Sequence, residues 1–271
     1  MTSRTLRMRP STRRRKLKEQ EVAGKEGRHE RWIGTRDMPG VGIKTRLTSP
    51  KTELREIHLL SAGEHALFLE LWWARDVLTI YDQVRLDTGA TRRAAAEVGI
   101  EHPHYPDSGD AVDLSTDLVA ITSVHGKLER KAFSVKAASF SETGLTPKQR
   151  IEQQAWSNAG VKFEAVYAKG MHATRSKNLA WLLRAANDVA AHGLTEREIA
   201  TQRELYRRLC RRCEAYVIDA CKAVERLAGL PLGSGMRAFR QLAAFRHIQF
   251  DLEAPEPGKI LVESLELKKM R

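Results

Sequence analysis

The chain has 271 residues, 42% of them hydrophobic and 30% charged, with 46 Lys+Arg against 34 Asp+Glu and a formal net charge of +12. That length supports a substantial core in one or two domains. No apolar run approaches the ~20 residues of a bilayer span, and the opening residues lack an apolar signal-like stretch, so neither a membrane nor a secreted protein is expected. The excess of positive charge asks for a polyanionic partner, most commonly nucleic acid, although charge alone does not decide it. Three cysteines, Cys210, Cys213 and Cys221, are too few and odd in number for a disulfide framework and fit a reducing compartment.

Residues 1 to about 45 differ from the rest of the chain: residues 1–18 hold no acid, and few apolar residues appear before Trp32 and Ile33. This reads as a mobile arm whose Arg13, Arg14, Arg15, Lys16 and Lys18 would grip DNA phosphates. A targeting peptide or a localisation cluster fits the same composition. The first firm helix runs from Ser61, a good N-cap, to about Trp73, with Leu67, Phe68, Leu71 and Trp72 at helical spacing and Trp72-Trp73 as core packing. A strand comes next at Val77–Leu86, then a short helix at Thr91–Val98 and a Pro/Gly/Asp-rich loop at His102–Asp113. In that loop His102, His104, Asp107 and Asp110 read as a solvated turn. Leu114–Thr122 and Lys131–Ala138 form a hairpin about His125-Gly126. Thr146-Pro147 opens a helix that Gly160 stops, and Val161–Ala168 is the next strand. From about Met171 the chain turns helical, at Asn178–Val189, Glu196–Leu227 and Met236–Arg246, before β-rich pieces at His247–Leu252 and Lys259–Leu265. Helices and then a hairpin suggest a winged-helix-like domain. On a continuous Glu196–Leu227 helix the three cysteines share a face with Tyr206 and Val217, which reads as core; zinc would need a second Cys or His pair.

Three positions in the strands carry chemistry. Asp117 is a carboxylate in mid-strand among apolar neighbours, costly to bury unless paired or metal-bound. On the returning strand Ser134 and Lys136 share a face. Together they would place a carboxylate, a hydroxyl and an ammonium in one pocket, able to hold a divalent cation and a phosphate. Glu64 could add a second carboxylate, but Ser61-x-x-Glu64 also fits a capping box that needs no catalytic role. Glu152 faces the sheet in one helical phase and solvent in another.

The stretch from about His58 to Leu183 resembles the TnsA family, endonuclease subunits of heteromeric cut-and-paste transposases. The resemblance lies in HLLSAGEHALFLEL, VLTIYDQVRLD, GIEHP, LSTDLVAI, FSVKAA and NLAWLL in that order, and more weakly in GSGMRAFRQLAAFRHIQFDL. It implies an α/β restriction-endonuclease-like nuclease core at 46–170 and a mainly helical, winged-helix-like C-terminal domain at 171–271, after the arm at 1–45. By position it implies Glu64, Asp117 and Lys136 as catalytic residues, with Glu64, Asp117 and Ser134 holding Mg²⁺, or Mn²⁺ in its place. This turns Glu64 from cap to ligand. Ser134 departs from the family pattern, where glutamine or glutamate is usual, and so puts full activity in question. The implied partners are transposon-end DNA, a TnsB-like transposase and a TnsC-like ATPase regulator that meets the C-terminal domain, in a prokaryotic cytoplasm at the nucleoid. Two other readings stand beside it: a non-catalytic DNA-binding or assembly subunit of a transposition complex, and a stand-alone restriction-type nuclease.

Overall fold

The computed structural model describes residues 8–38, 42–136, 144–167 and 173–268. It divides into two compact units, Met1–Met171 and His172–Arg271.

The first unit begins with helix α1 (Pro10–Lys25) and a short antiparallel pair, β1 (Thr45–Leu47) and β2 (Ile57–Leu59). Helix α2 (Ala62–Trp73) is next. Strand β3 (Val77–Arg85), helix α3 (Thr88–Glu97), strands β4 (Ser115–Val124) and β5 (Lys127–Lys136), helix α4 (Pro147–Asn158) and strand β6 (Lys162–Tyr167) complete it. The sheet order is β3-β4-β5-β6. Its first three strands are antiparallel, and β6 is parallel to β5. A parallel neighbour needs a crossover, and α4 supplies it. Its start is built by Thr146, whose hydroxyl accepts the Gln149 N–H while the Gln149 side chain returns to Thr146, with Pro147 at the first helical position. The β4–β5 turn is two residues, His125 and Gly126, with φ of 50° and 78°. Two positive φ values in succession are what a type I′ hairpin requires. This short turn starts β5 four residues before the expected Lys131; the expected end at Ala138 lies outside the described residues.

Alternation along the strands gives the sheet two apolar faces. Val119 and Ala132, paired in register, join a core with Ala94 and Ala95 of α3 and Ile151, Ala155 and Trp156 of α4. Leu118, Ala120 and Phe133 alternate with them and are buried on the other side, where α2 packs on β3, β4 and β5. Helix α2 is apolar on most of its surface, with Leu67, Phe68, Leu69, Leu71 and Trp72 buried.

The expected mobile arm is corrected. Residues 8–38 are part of the first unit: Met8 and Trp32 are buried in the α3–α4 core, with Leu17 packed against it. Two of the five cations expected to grip DNA are used internally. Arg13 donates to the buried Asp113 at 2.5 Å, and Lys16 donates to the Trp32 carbonyl at 3.0 Å and to Asp37 at 2.9 Å. The segment looked unfolded because its apolar residues are sparse. What anchors it is acid supplied from far along the chain, which local composition does not report.

The second unit contains α5 (Ala173–His192), α6 (Glu196–Arg211), α7 (Val217–Ala228), α8 (Ser234–Ala244) and a two-stranded pair, β7 (Ile248–Gln249) and β8 (Glu266–Leu267). The continuous helix expected over Glu196–Leu227 is corrected to two helices. Arg212 turns left-handed at φ 52° and ends α6. The chain then runs alongside residues 260–262: Tyr216 bridges Leu261, and the Val217 and Val262 N–H groups donate to Ile260 and Ala215. Cys210, on α6 beside the buried Leu209, and Cys213, past its end, are exposed, contrary to the expected core stripe, and only Cys221 is buried. Leu205, Leu209, Val217, Val224, Phe239 and Leu242 form the core of this unit.

Helices α7 and α8 cross at Gly235, where an added Cβ would lie 2.5 Å from the Cys221 carbonyl oxygen and 2.7 Å from its Cα. Those are backbone atoms and cannot swing aside. Gly235→Ala is expected to destabilise the second unit by at least ~1–3 kcal/mol, read as a lowered thermal midpoint. An unchanged midpoint would refute the close crossing.

Candidate active site

The site grows from an interruption in the sheet. The β4–β5 ladder ends at Leu118↔Phe133, so Asp117 stands one step past the last pair. On its other side Asp82↔Leu118 and Val84↔Thr116 flank it, and Gln83, opposite Asp117, is left-handed at φ 45°. A non-glycine residue rarely adopts that conformation, and such strain concentrates at functional sites. Here the turned backbone lets the Gln83 carbonyl accept the Trp32 N–H at 2.9 Å, so Trp32 anchors the kink.

With the ladder open, Asp117 takes over a ladder role. Its Oδ2 accepts the Val135 N–H at 2.7 Å and the Ser134 hydroxyl at 3.3 Å. Ser134 is buried and accepts Gln149 Nε2 at 3.1 Å, so its hydroxyl both donates and accepts. Asp117 itself is half-buried and open on one side.

Glu64 is both cap and site residue. Ser61 Oγ accepts the Glu64 N–H at 3.1 Å, as N-cap geometry predicts. The carboxylate does not close the expected box on Ser61 N–H. It accepts Leu60 N–H at 2.9 Å, the Ser61 hydroxyl at 3.0 Å and Gln83 Nε2 at 3.4 Å. Burial, and then the negative charge of Asp117, push its pKa up to about 8. A buried carboxylate raised by a neighbouring one in this way marks a place short of positive charge.

The structure thus brings Glu64, Asp117 and Ser134 together. Lys136 is buried on β5, and its ammonium donates to the Gly144 carbonyl and lies 5.7 Å from the centre of the Tyr167 ring. A second ammonium, on which the charges of Asp117 and Glu64 act, is that of Lys148, in the first turn of α4. Its Nζ is 3.1 Å from the Ser115 carbonyl and 3.0 Å from Glu152 Oε1. Glu152 does face the sheet: it is fully buried, with Oε2 accepting the Thr116 hydroxyl at 3.2 Å. Burial first and then Asp117 raise its pKa to about 7, against the pull of Lys148. Sequence reasoning missed Lys148. The available signal was the i,i+4 spacing of Lys148 and Glu152 just after the Thr146-Pro147 helix start. Among the described residues no group of three or more His, Cys, Asp or Glu is placed to hold a metal ion.

Residues 172–252 match the family model described as "TnsA endonuclease C terminal". Over 239 residues, 88% of this chain and 85% of the relative, the chain is 28% identical to the Transposon Tn7 transposition protein TnsA of Escherichia coli. Both comparisons point to the same family: the chain is similar to TnsA along most of its length.

The other candidates divide cleanly. Arg14, Arg15 and Lys18 are exposed on α1, with Arg15 paired to Glu19, while Arg13 and Lys16 are bound internally. The His102 loop carries no ligand cluster. His102 is buried between the Thr91 hydroxyl at 3.0 Å and the Pro103 carbonyl, and burial lowers its pKa, which keeps it neutral as a brace. Among the described residues no helix is long and apolar enough to cross a membrane.

Proposed function

We propose that this chain is a Mg²⁺-dependent DNA endonuclease subunit of a transposase, hydrolysing phosphodiester bonds at transposon ends through Glu64, Asp117 and Lys136 on a restriction-endonuclease-like core. The observation that carries this reading is the carboxylate pair, Glu64 and Asp117, at the opened β4–β5 ladder. Their donor chemistry fits the ion: Mg²⁺ uses one or two carboxylates and keeps several waters, so a pair suffices where a cage of protein ligands is lacking. Held by Glu64 and Asp117, the ion supplies Lewis acidity, activating water and neutralising charge on the phosphodiester.

The chain's own residues prepare the site. The Val135 N–H and the Ser134 hydroxyl fix Asp117, and Leu60 N–H, Ser61 and Gln83 fix Glu64. The Ser134 hydroxyl donates to Asp117 and accepts from Gln149, so it orients Asp117 and keeps one lone pair that can face the ion or its water. Lys136 supplies fixed positive charge at the end of β5. The exposed Arg14, Arg15 and Lys18 are the DNA contacts retained from the basic run.

The second unit is winged-helix-like in its order: α6, the strand segment at 215–216 paired with 260–262, α7, α8, then β7 and β8. Helix α8, in the place of a recognition helix, is covered by α5: Arg240 lies over the Trp181 ring at 5.5 Å and donates to the Trp181 carbonyl at 2.6 Å. A helix covered in this way does not enter a DNA groove. The unit therefore serves protein contact, with a TnsC-like ATPase as partner, while a TnsB-like transposase performs the joining.

The test is a Mn²⁺ titration of the full-length protein monitored by electron paramagnetic resonance, with cutting of transposon-end DNA in the presence of both partners. Saturable Mn²⁺ binding that Glu64→Ala or Asp117→Ala weakens at least ~10-fold is expected, together with Mg²⁺-dependent cutting. Cutting by the protein alone would indicate a stand-alone nuclease. Absence of both binding and cutting would leave an assembly subunit.

A further inference from the structure

Resting on that reading, we propose that Lys148 is a catalytic residue of the cutting reaction, its ammonium contacting a non-bridging oxygen of the DNA phosphate seated at Glu64 and Asp117. Three observations carry it. The Ser115 carbonyl, two residues before Asp117 on β4, fixes Lys148 Nζ at 3.1 Å, so the ammonium is tied to the strand that presents the carboxylate. Its side chain is 47% exposed, whereas its partner Glu152 is fully buried, so Lys148 stands at a solvent-accessible edge of the site with its ammonium turned inward to Ser115 and Glu152. The Lys136 ammonium is engaged by Gly144 and Tyr167, and the charges of Asp117 and Glu64 act on Lys148 as well.

The plainer account makes Lys148 only the counter-ion of Glu152. A surface i,i+4 pair would serve that purpose and contributes little, but it would not need the Ser115 carbonyl, nor place the ammonium within the field of two further carboxylates. Burial opposes its charge, yet Glu152, Asp117 and Glu64 hold the Lys148 pKa above its ordinary value, so it remains cationic. A preorganised cation aimed where phosphate charge develops is the usual source of electrostatic catalysis.

The experiment compares native protein with Lys148→Ala, Lys148→Arg and Asp117→Asn. It measures single-turnover cutting of transposon-end DNA with the transposase partners and Mg²⁺, and Mn²⁺ affinity of the full-length protein without DNA. Lys148→Ala is expected to cut ~100-fold slower, to regain part of that rate in ethylamine, and to bind Mn²⁺ at least as tightly as native, because a competing positive charge has gone. Lys148→Arg should retain part of the rate. Native-rate cutting by Lys148→Ala overturns the proposal. So does a rate loss matched by lost Mn²⁺ binding and insensitive to amine, which would mark a structural role. If native protein does not cut, or Asp117→Asn cuts as fast as native, the nuclease reading itself fails and this inference falls with it.

Discussion

Asp117→Asn protein is expected to fold with a native thermal midpoint and to lose DNA cutting by at least ~100-fold. The substitution separates two roles of one side chain. Structurally, Asp117 accepts the Val135 N–H at 2.7 Å where the β4–β5 ladder has opened. The asparagine amide oxygen can accept the same bond, so the end of β5 stays pinned. Chemically, Asp117 contributes negative charge to a divalent-cation site shared with Glu64, and an amide does not. Mn²⁺ affinity should fall in parallel with cutting. Glu64→Gln is a less clean probe, because the Glu64 carboxylate also accepts Leu60 N–H and the Ser61 hydroxyl at the start of α2. Undiminished cutting by Asp117→Asn would remove the carboxylate pair from the reaction.

The second large effect lies beneath the site. Asp82→Ala is expected to destabilise the first unit by roughly 3–5 kcal/mol, the usual cost of removing one partner from a buried ion pair. At ~2–4 °C per kcal/mol this is about a 10 °C fall in thermal midpoint. Asp82 is fully buried next to Gln83. It accepts Arg31 at 2.9 Å, Arg55 at 2.8 Å and the His58 N–H at 2.7 Å, with His29 at 3.6 Å. Alanine would leave two guanidinium groups and a β2 N–H without their acceptor. These contacts tie the segment after α1, the approach to β2 and β3 to one carboxylate. Its loss should therefore loosen Gln83 and the site above it.

The same group gives acid sensitivity of known sign. Burial would raise the Asp82 pKa, but His29, Arg31, the His58 N–H and Arg55 hold it well below the ordinary carboxylate range. A depressed folded-state pKa contributes stability that is complete above the unfolded value, near ~3.9, and is lost as pH falls from there towards the folded value. Acid unfolding of the native chain should steepen below about pH 4, and Asp82→Asn should flatten that limb. An unchanged acid limb in Asp82→Asn would place the linkage elsewhere, with Asp113 the next candidate because Arg13 and Thr88 hold it down against burial in the same way.

Elements whose causes are local were legible from the residues alone. Ser61 and Thr146-Pro147 start helices because a side-chain oxygen satisfies a free N–H a few residues on. His125-Gly126 turns the hairpin because both positions tolerate positive φ. Alternation then assigns Leu118 and Val119 to opposite faces. These signals suffice for the order of helix, strands, helix and strand, and Asp117 and Ser134 stood out as candidates because polar groups in such strands need partners. Charges that meet across the chain were legible only in the folded molecule. Asp113 and Asp82 draw Arg13 and Arg31 into the first unit, so a run that composition marks as a free arm is folded. The pairing of Tyr216 with Leu261 breaks a helical pattern that periodicity alone would continue, while α6 buries Leu205 and Leu209 and leaves Cys210 outside. Lys148 joins the site because the start of α4 returns to Ser115 and Ser134 at the open ladder. Local sequence carries backbone preference and apolar period, but the partner of a buried charge is set by the path of the chain.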